Sequence, residues 1–203
     1  MLLAFSPCLL LAGEGEGIIH YYSGKLGFYH PGPSLNDGVM IGADGITEFE
    51  QYHVMLSLDV DVYPKQSISI FDNPQPGGGG PPDISDQELL LFPLHANIGV
   101  ELFHVPDAET SVYVGGGGGY YFYFYSATLQ NRSGGLLGGS LTHSSDSKNS
   151  GEGFGTIFAR VISGKVFFEP RYYFASPSTE TLHGYRFTVD PSGFSFLIGL
   201  QYH

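Results

Sequence analysis

The sequence predicts an all-β fold: an eight-stranded antiparallel up-and-down transmembrane β-barrel, formed as a single domain. Three observations lead to this prediction. Apolar and polar residues alternate in segment after segment, which is the period of a strand and not that of a helix. The composition is rich in aromatic residues and glycine, with 14 Tyr, 16 Phe and 30 Gly in 203 residues. The connections between segments are alternately short and long, as in barrels with turns at one end and loops at the other.

The segment from His53 to Tyr63 shows the alternation most clearly. Its even-numbered positions, 54 to 62, are all aliphatic. Its odd-numbered positions include Asp59 and Asp61, which lie on the opposite face of a strand, about 7 Å apart. We interpret the aliphatic face as the lipid contact and the polar face as the filling of a narrow barrel. A soluble barrel that holds an apolar ligand would turn the two faces round and is the alternative.

The first four predicted strands each alternate and each end at a turn signal. Pro31–Gly38 separates the first from the second, Glu50–Gln51 the second from the third, and the loop Asn73–Gln87 the third from the fourth. Pro64 indicates a bulge or a rim, with an extension of the third strand through Phe71, because proline donates no ladder hydrogen bond. The predicted bounds are Ile18–His30, Val39–Phe49, His53–Tyr63 and Glu88–Phe103.

The last four predicted strands are separated in the same way. Val105–Thr110 is a short turn, Gln130–Ser150 a long polar loop, Ser163–Gly164 a tight turn and Ser176–Ser192 a third long loop. The aromatic run Tyr120–Tyr125 is interpreted as part of a girdle at a membrane interface. The predicted bounds are Ser111–Thr128, Gly151–Ile162, Lys165–Ala175 and Gly193–His203.

The first twelve residues form an apolar run that is too short for a spanning helix, which needs about 18 residues or more. We interpret it as the hydrophobic region of a secretory signal, cut near Ala12 or Gly13. Residues 1–16 are then a signal peptide or N-terminal tail, and residues 17–203 are the barrel. The single cysteine, Cys8, excludes an intrachain disulfide and a cysteine-rich metal site.

Several charged residues fall on the strand faces that are predicted to point inward. An eight-stranded interior is only wide enough to be filled by side chains, so these groups must pair with one another or with trapped water. The predicted interior charge network comprises Lys25, Asp44, Asp59, Asp61, Glu101, Arg160, Glu169 and Arg171, with Glu48, His53 and His95 on the same faces.

A second interpretation of Asp59 and Asp61 is a catalytic carboxylate pair or a cation site. We favour the structural network, because the sequence indicates no route for a substrate. We therefore predict no catalytic residue, no metal ligand and no cofactor. The net charge of −12 also argues against nucleic-acid binding, because phosphate contacts need clustered Lys or Arg.

Three stretches of long alternation, Pro93–Phe103, Tyr113–Phe122 and Phe194–Tyr202, resemble the small outer-membrane β-barrel proteins of the OmpA, OmpX and OmpW kind. The resemblance covers about residues 18–203. It implies a monomer in the outer membrane of a Gram-negative cell, in contact with outer-membrane lipid and lipopolysaccharide, that is not an enzyme. It also implies a role in envelope integrity, in adhesion through the long loops, or in binding a small hydrophobic or extracellular ligand.

A hydrolase on the same fold is the remaining alternative. His143, Ser145 and Glu152 resemble the base, nucleophile and orienting residue of the barrel-borne lipid A deacylases, which carry a His-x-Ser-Asn element and a downstream Glu. In this chain Asp146 replaces the Asn, and the element precedes three strands instead of lying near the end of the barrel. An exposed polar loop explains the same residues.

Overall fold

The computed structural model of the chain describes residues 17–33, 35–66, 83–132, 141–182 and 185–202. Its strands are β1 (Ile18–Pro31), β2 (Gly38–Phe49), β3 (Val54–Gln66), β4 (Asp83–Val105), β5 (Thr110–Arg132), β6 (Leu141–Ser163), β7 (Val166–Ala175), β8 (Ser178–Leu182), β9 (Tyr185–Val189) and β10 (Gly193–Tyr202). Eight of them close an antiparallel barrel in the order β1-β10-β7-β6-β5-β4-β3-β2, and β8 and β9 form a separate hairpin. The predicted fold class is confirmed. The signal peptide predicted for residues 1–16 and the strand extension through Phe71 lie outside the described residues.

The connections alternate in length as predicted. At the turn end of the barrel, tight turns join β2 to β3, β4 to β5 and β6 to β7. His53, Glu109 and Gly164 have left-handed backbone there, with φ of 54°, 45° and 56°. His53 therefore belongs to a turn, and the prediction that it begins a strand is wrong. At the loop end, the last connection contains the β8–β9 hairpin, where the sequence predicted only a loop. No helix in the described part of the chain is long and apolar enough to cross a membrane.

Strands β4, β5 and β6 are each 23 residues long, about twice the predicted length of a spanning strand. β5 and β6 pair residue for residue from the turn end up to the pair Arg132↔Leu141, so the loop predicted for Gln130–Ser150 is wrong over residues 130–132 and 141–150. The loop predicted for Asn73–Gln87 likewise gives way to strand from Asp83. Backbone pairing continues past the apolar part of the barrel, so these strands extend beyond the stretch in which apolar and polar residues alternate. We call this projecting part of β4–β6 the wall.

The two faces of the barrel are oriented as predicted. Leu58 and Val60 are 42% and 47% exposed, whereas Asp59 and Asp61 between and beside them are 0% exposed. The inverted arrangement required by the soluble alternative is therefore wrong. Outward aliphatic and aromatic side chains cover the barrel between the turn end and the wall, and we call this surface the apolar belt. It includes Leu26, Phe28, Val39, Ile41, Leu56, Leu58, Val60, Leu94, Ile98, Val100, Phe122, Phe124, Ile157, Phe168, Phe196, Ile198 and Leu200.

The sequence predicted a polar interior. The structure shows three layers instead, and only the middle one is charged. A small apolar cluster fills the turn end, and it contains Ile46, Met55, Tyr113 and Phe158. Charged residues fill the middle. A larger cluster, which we call the tyrosine layer, fills the loop end and contains Tyr29, Met40, Tyr63, Leu89, Leu91, Tyr121, Tyr123, Tyr125, Tyr173 and Leu197. The aromatic run Tyr120–Tyr125 is accordingly divided, with its even-numbered rings outside and its odd-numbered rings in this layer.

The inward glycines of β5 allow β4 to approach closely. A Cβ built on Gly117 would collide with the carbonyl oxygen of Ala96 and lie 2.7 Å from the Cα of Asn97. A Cβ on the outward Gly153 of β6 would have its nearest neighbour at 3.7 Å. The fold therefore needs a glycine at position 117 and leaves room for a Cβ at position 153.

We expect Gly117→Ala to destabilise the barrel by about 1–3 kcal/mol, because overpacking forces β4 and β5 apart. The matched variant Gly153→Ala should change the free energy of unfolding by less than about 0.5 kcal/mol. Urea titration of the folded, heat-modifiable band on unboiled SDS gels measures both. Equal stability of the two variants would show that the close approach of β4 is not required.

Candidate functional site

The middle layer of the barrel is the largest concentration of chemically active side chains in the described structure. Strands β1, β2 and β3 supply Lys25, Asp44, Asp59 and Asp61, and strands β6 and β7 supply cations and one carboxylate from across the barrel. Seven of the eight predicted interior charges meet here with fully buried side chains, namely Lys25, Asp44, Asp59, Asp61, Arg160, Glu169 and Arg171. We call this set the ion network.

Lys25 is the centre of the network on the β1–β3 side. Its Nζ donates a hydrogen bond to Asp59 Oδ1. It also lies 3.1 Å from Asp61 Oδ1 and 3.7 Å from Asp44 Oδ2. The three carboxylates come from two neighbouring strands, so one ammonium group holds them together.

Two arginines connect these carboxylates to strands β6 and β7 across the lumen. Arg160 Nη2 lies 2.6 Å from Asp44 Oδ2, and its Nε lies 2.5 Å from Glu169 Oε2. Arg171 Nη2 lies 2.9 Å from Asp59 Oδ1 and 2.5 Å from Glu169 Oε1. Each guanidinium therefore bridges two carboxylates on opposite sides of the lumen, which its planar, forked geometry permits and an ammonium group would not match.

Neutral donors complete the coordination of the carboxylates. Ser57 Oγ and Asn97 Nδ2 donate to Asp59 Oδ2 at 2.6 and 2.8 Å. Tyr173 donates to Asp61 Oδ2 at 3.2 Å, and His95 Nε2 lies 3.1 Å from the same oxygen. Sequence reasoning placed His95 on this face but did not include the neutral donors in the network, because it considered charged groups. Their strand parity was the available signal.

Two guanidinium nitrogens of the network have no hydrogen-bond acceptor among the described residues, Nη1 of Arg160 and Nε of Arg171. Aromatic faces lie against both guanidinium groups instead. The Cζ of Arg160 is 4.4 Å from the centroid of the Phe167 ring, and that of Arg171 is 5.8 Å from Phe158. Cation–π contact offsets part of the free-energy cost of burying these donors without an acceptor.

The geometry of Asp59 and Asp61 supports a structural role. Neither is exposed, and Lys25 and Arg171 lie against both of them. A general base or a cation ligand needs an oxygen that a substrate or ion can reach. Within the described ranges no group of three or more His, Cys, Asp or Glu residues is arranged to hold a metal ion.

Glu101, the eighth predicted member, lies at the turn end and not in the ion network. Its Oε2 is 2.7 Å from His53 Nδ1 and its Oε1 is 3.3 Å from His104 Nδ1. The predicted inward face of Glu101 was right, but its predicted position along the barrel axis was wrong. Strand β4 continues past the ion network toward the turn end and has a bulge between Glu101 and Phe103. Lys165 is exposed in the β6–β7 turn.

The tyrosine layer closes the loop end of the barrel. Tyr29 donates a hydrogen bond to the carbonyl of Pro191, and Tyr63 donates one to the carbonyl of Asn36. Tyr121 donates to the carbonyl of Ser176 at 3.4 Å. Leu35 and Val189, from two different loops, are buried in the same layer. The rings fill the lumen while their hydroxyl groups hold loop backbone across its mouth.

The residues of the hydrolase alternative are not brought together. Residues 143 and 145 pair with Gln130 and Thr128, and Glu152 pairs with Tyr121. Positions 145 and 152 are seven residues apart on one continuous strand, which separates their backbones by roughly 23 Å. A base, nucleophile and orienting residue must lie within hydrogen-bond reach of one another.

Comparison with known proteins identifies the fold. No protein-family model and no curated protein matches the sequence. The chain is similar to a major outer membrane protein from Thermus thermophilus, at 12% identity and a TM-score of 0.51, covering 91% of this chain and 99% of that one. It is also similar to Ail, the attachment invasion locus protein of Yersinia pestis, at 11% identity and a TM-score of 0.42, covering 93% and 100%. The N-terminal β-barrel domain of Pseudomonas aeruginosa OprF matches at 10% identity and a TM-score of 0.39, covering 90% and 97%. The first likeness shows a shared barrel fold.

We expect Arg171→Met to destabilise the barrel by about 3–5 kcal/mol, because it leaves Asp59 and Glu169 buried without one of their cations. Lys165→Met is the matched control, since it removes an exposed cation from the neighbouring turn, and its effect should be below about 1 kcal/mol. Urea midpoints of the two purified, detergent-folded variants give the comparison. If Arg171→Met unfolds at the wild-type midpoint, the network does not hold the barrel together.

Proposed function

We propose that this chain is a non-enzymatic outer-membrane barrel that conducts no solute and presents a binding surface outside the cell. One observation carries the proposal: the barrel is filled from end to end, yet three of its strands continue well beyond the apolar belt. The chain thus forms a membrane anchor and an external sheet, and the barrel has no open lumen.

The apolar belt supports a location in the membrane. Side chains such as Leu58, Ile98 and Ile198 are 42–56% exposed on the outside of the barrel, and contact of this apolar surface with water would be unfavourable. Aromatic rings are concentrated at the loop-end border of the belt, including Phe122, Phe124, Phe174 and Phe194. Such girdles mark the interface in outer-membrane barrels. Barrel closure leaves no strand edge within the belt, so we expect a monomer.

The filled interior supports a closed barrel. Apolar side chains occupy the turn end, the ion network occupies the middle, and the tyrosine layer occupies the loop end. An eight-stranded barrel is expected to be packed in this way, and open channels belong to larger barrels. The same filling argues against an apolar ligand held inside.

The wall supports binding at the cell surface, and adhesion is the role that it fits best. From Tyr125 to Arg132, β5 continues for eight residues, or about 26 Å, beyond the last belt residue, Phe124. A spanning strand needs only about 9–11 residues. A sheet of this height is not required for anchoring, whereas it offers a broad rigid surface to another cell or matrix.

Surface labelling tests the location and its orientation. In a Cys8→Ser background, we expect a cysteine at Pro33, at the loop end, to react with a membrane-impermeant maleimide on intact cells. A cysteine at Glu109, at the turn end, should react only after the outer membrane is permeabilised. Both positions are exposed, so accessibility within the folded chain does not separate them. Equal labelling on intact cells would contradict the proposed orientation.

Shortening the wall tests the role. Ser126 and Ser147 face each other across the β5–β6 ladder, so an Asn-Gly turn can replace residues 127–146 without disturbing the pairs below. We expect this variant to keep its heat-modifiable barrel and to lose at least tenfold in the attachment of expressing cells to epithelial monolayers or matrix. A barrel that folds and attaches as well as wild type would rule out the wall as the adhesive surface.

A further inference from the structure

A groove of about 470 Å³ opens on the outer surface where the apolar belt ends and the wall begins. Seven of its lining residues occupy outward positions on β3, β4, β5 and β6, so the groove faces the surroundings and not the lumen. The apolar side of the groove is formed by Pro64, Leu90 and Phe124. Its polar side is formed by Glu88, Ser126, Ser147 and Asn149.

The polarity of the groove changes along the barrel axis. Phe124 pairs across the ladder with Leu90 on one side and with Asn149 on the other. At the next outward position of β5, two residues further from the turn end, Ser126 pairs with Glu88 and with Ser147. The border between lipid and the aqueous headgroup region therefore runs through the groove. A molecule that fills it must be apolar at one end and polar at the other.

The polar side favours a hydroxyl-rich group over a highly charged one. Hydroxyl and amide groups predominate, and each can both donate and accept hydrogen bonds. The charges at the groove are of opposite sign, an exposed Glu88 carboxylate and the half-buried Lys148. A purely anionic headgroup would need a cluster of cations, and a carboxylate beside it would repel it.

Phe124 provides a flat, fixed surface beside these polar groups. Its ring is 50% exposed. The ring of Phe92 holds it edge to face, with centroids 5.9 Å apart and an interplanar angle of 90°. A fixed aromatic face next to hydroxyl and amide groups suits a pyranose ring, which has one apolar face and polar edges.

We propose that this groove binds the saccharide headgroup of an amphipathic glycolipid from the outer leaflet, with the acyl chain running over Leu90 and Pro64 in the apolar belt. The inference rests on the proposed outer-membrane location. It adds a specific ligand site on the outside of β3–β6, at the foot of the wall.

Titration of the folded, isotope-labelled protein in dodecylphosphocholine micelles tests the site. The probes are dodecyl maltoside, free maltose and additional dodecylphosphocholine, which separate a glycolipid from a soluble saccharide and from an alkyl chain alone. We expect dodecyl maltoside to cause saturable shifts of the Ser126, Ser147 and Asn149 amide signals, with at least tenfold weaker effects from maltose. The double variant Ser126→Leu/Ser147→Leu should lose at least tenfold in apparent affinity, and Lys165→Leu, at the opposite end of the barrel, should bind as wild type.

The inference would be overturned by the absence of a saturable shift, by equal shifts from dodecylphosphocholine, or by undiminished binding by the double variant. Equal binding of free maltose would replace the glycolipid with a soluble saccharide and would also overturn it. Surface labelling of the Pro33→Cys and Glu109→Cys variants keeps the two proposals distinct. A chain that labels as expected but ignores dodecyl maltoside loses the groove site and keeps its proposed function.

Discussion

A closed barrel of eight strands must be filled by its own side chains, and this constraint decides where each buried charge lies. Three cations, Lys25, Arg160 and Arg171, meet the carboxylates of Asp44, Asp59, Asp61 and Glu169 in one network. The members come from five strands on opposite sides of the barrel. Since each bridging guanidinium reaches across the lumen, the network fixes the position of β6 and β7 relative to β2 and β3, which do not pair with them.

The two layers beside the network strengthen it by keeping water away, because ion pairs gain strength as the local dielectric falls. The tyrosine layer has a second role. Tyr29 and Tyr63 pack edge to face at 5.1 Å and each also holds a loop carbonyl. Phenylalanine would fill the same space without holding the loops. The same residues therefore both fill the lumen and close its mouth.

Alternation predicted the strands and their faces because each strand of the belt lies between lipid and a packed interior, so that every second position is constrained. The same signal fails above the belt. There Ser144, Ser147 and Asn149 have the composition of a loop, yet backbone pairing with β5 holds them in a strand. Glu101 shows a second limit, since parity assigns a face and not a depth. In the run Tyr120–Tyr125, aromatic residues occupy both faces, so composition alone assigned all of them to the girdle.

The foot of the wall is where the constraints on the sequence relax. Within the belt, an outward position must suit lipid and an inward position must fit a filled lumen, as the collision at Gly117 illustrates. Above the belt, the inner face still packs, because Tyr125 is 2% exposed, while the outer face meets only solvent or ligand. Outward positions such as Ser126 can therefore change their chemistry at little cost in stability. A barrel of this design can acquire a new surface specificity without altering the network that holds it together.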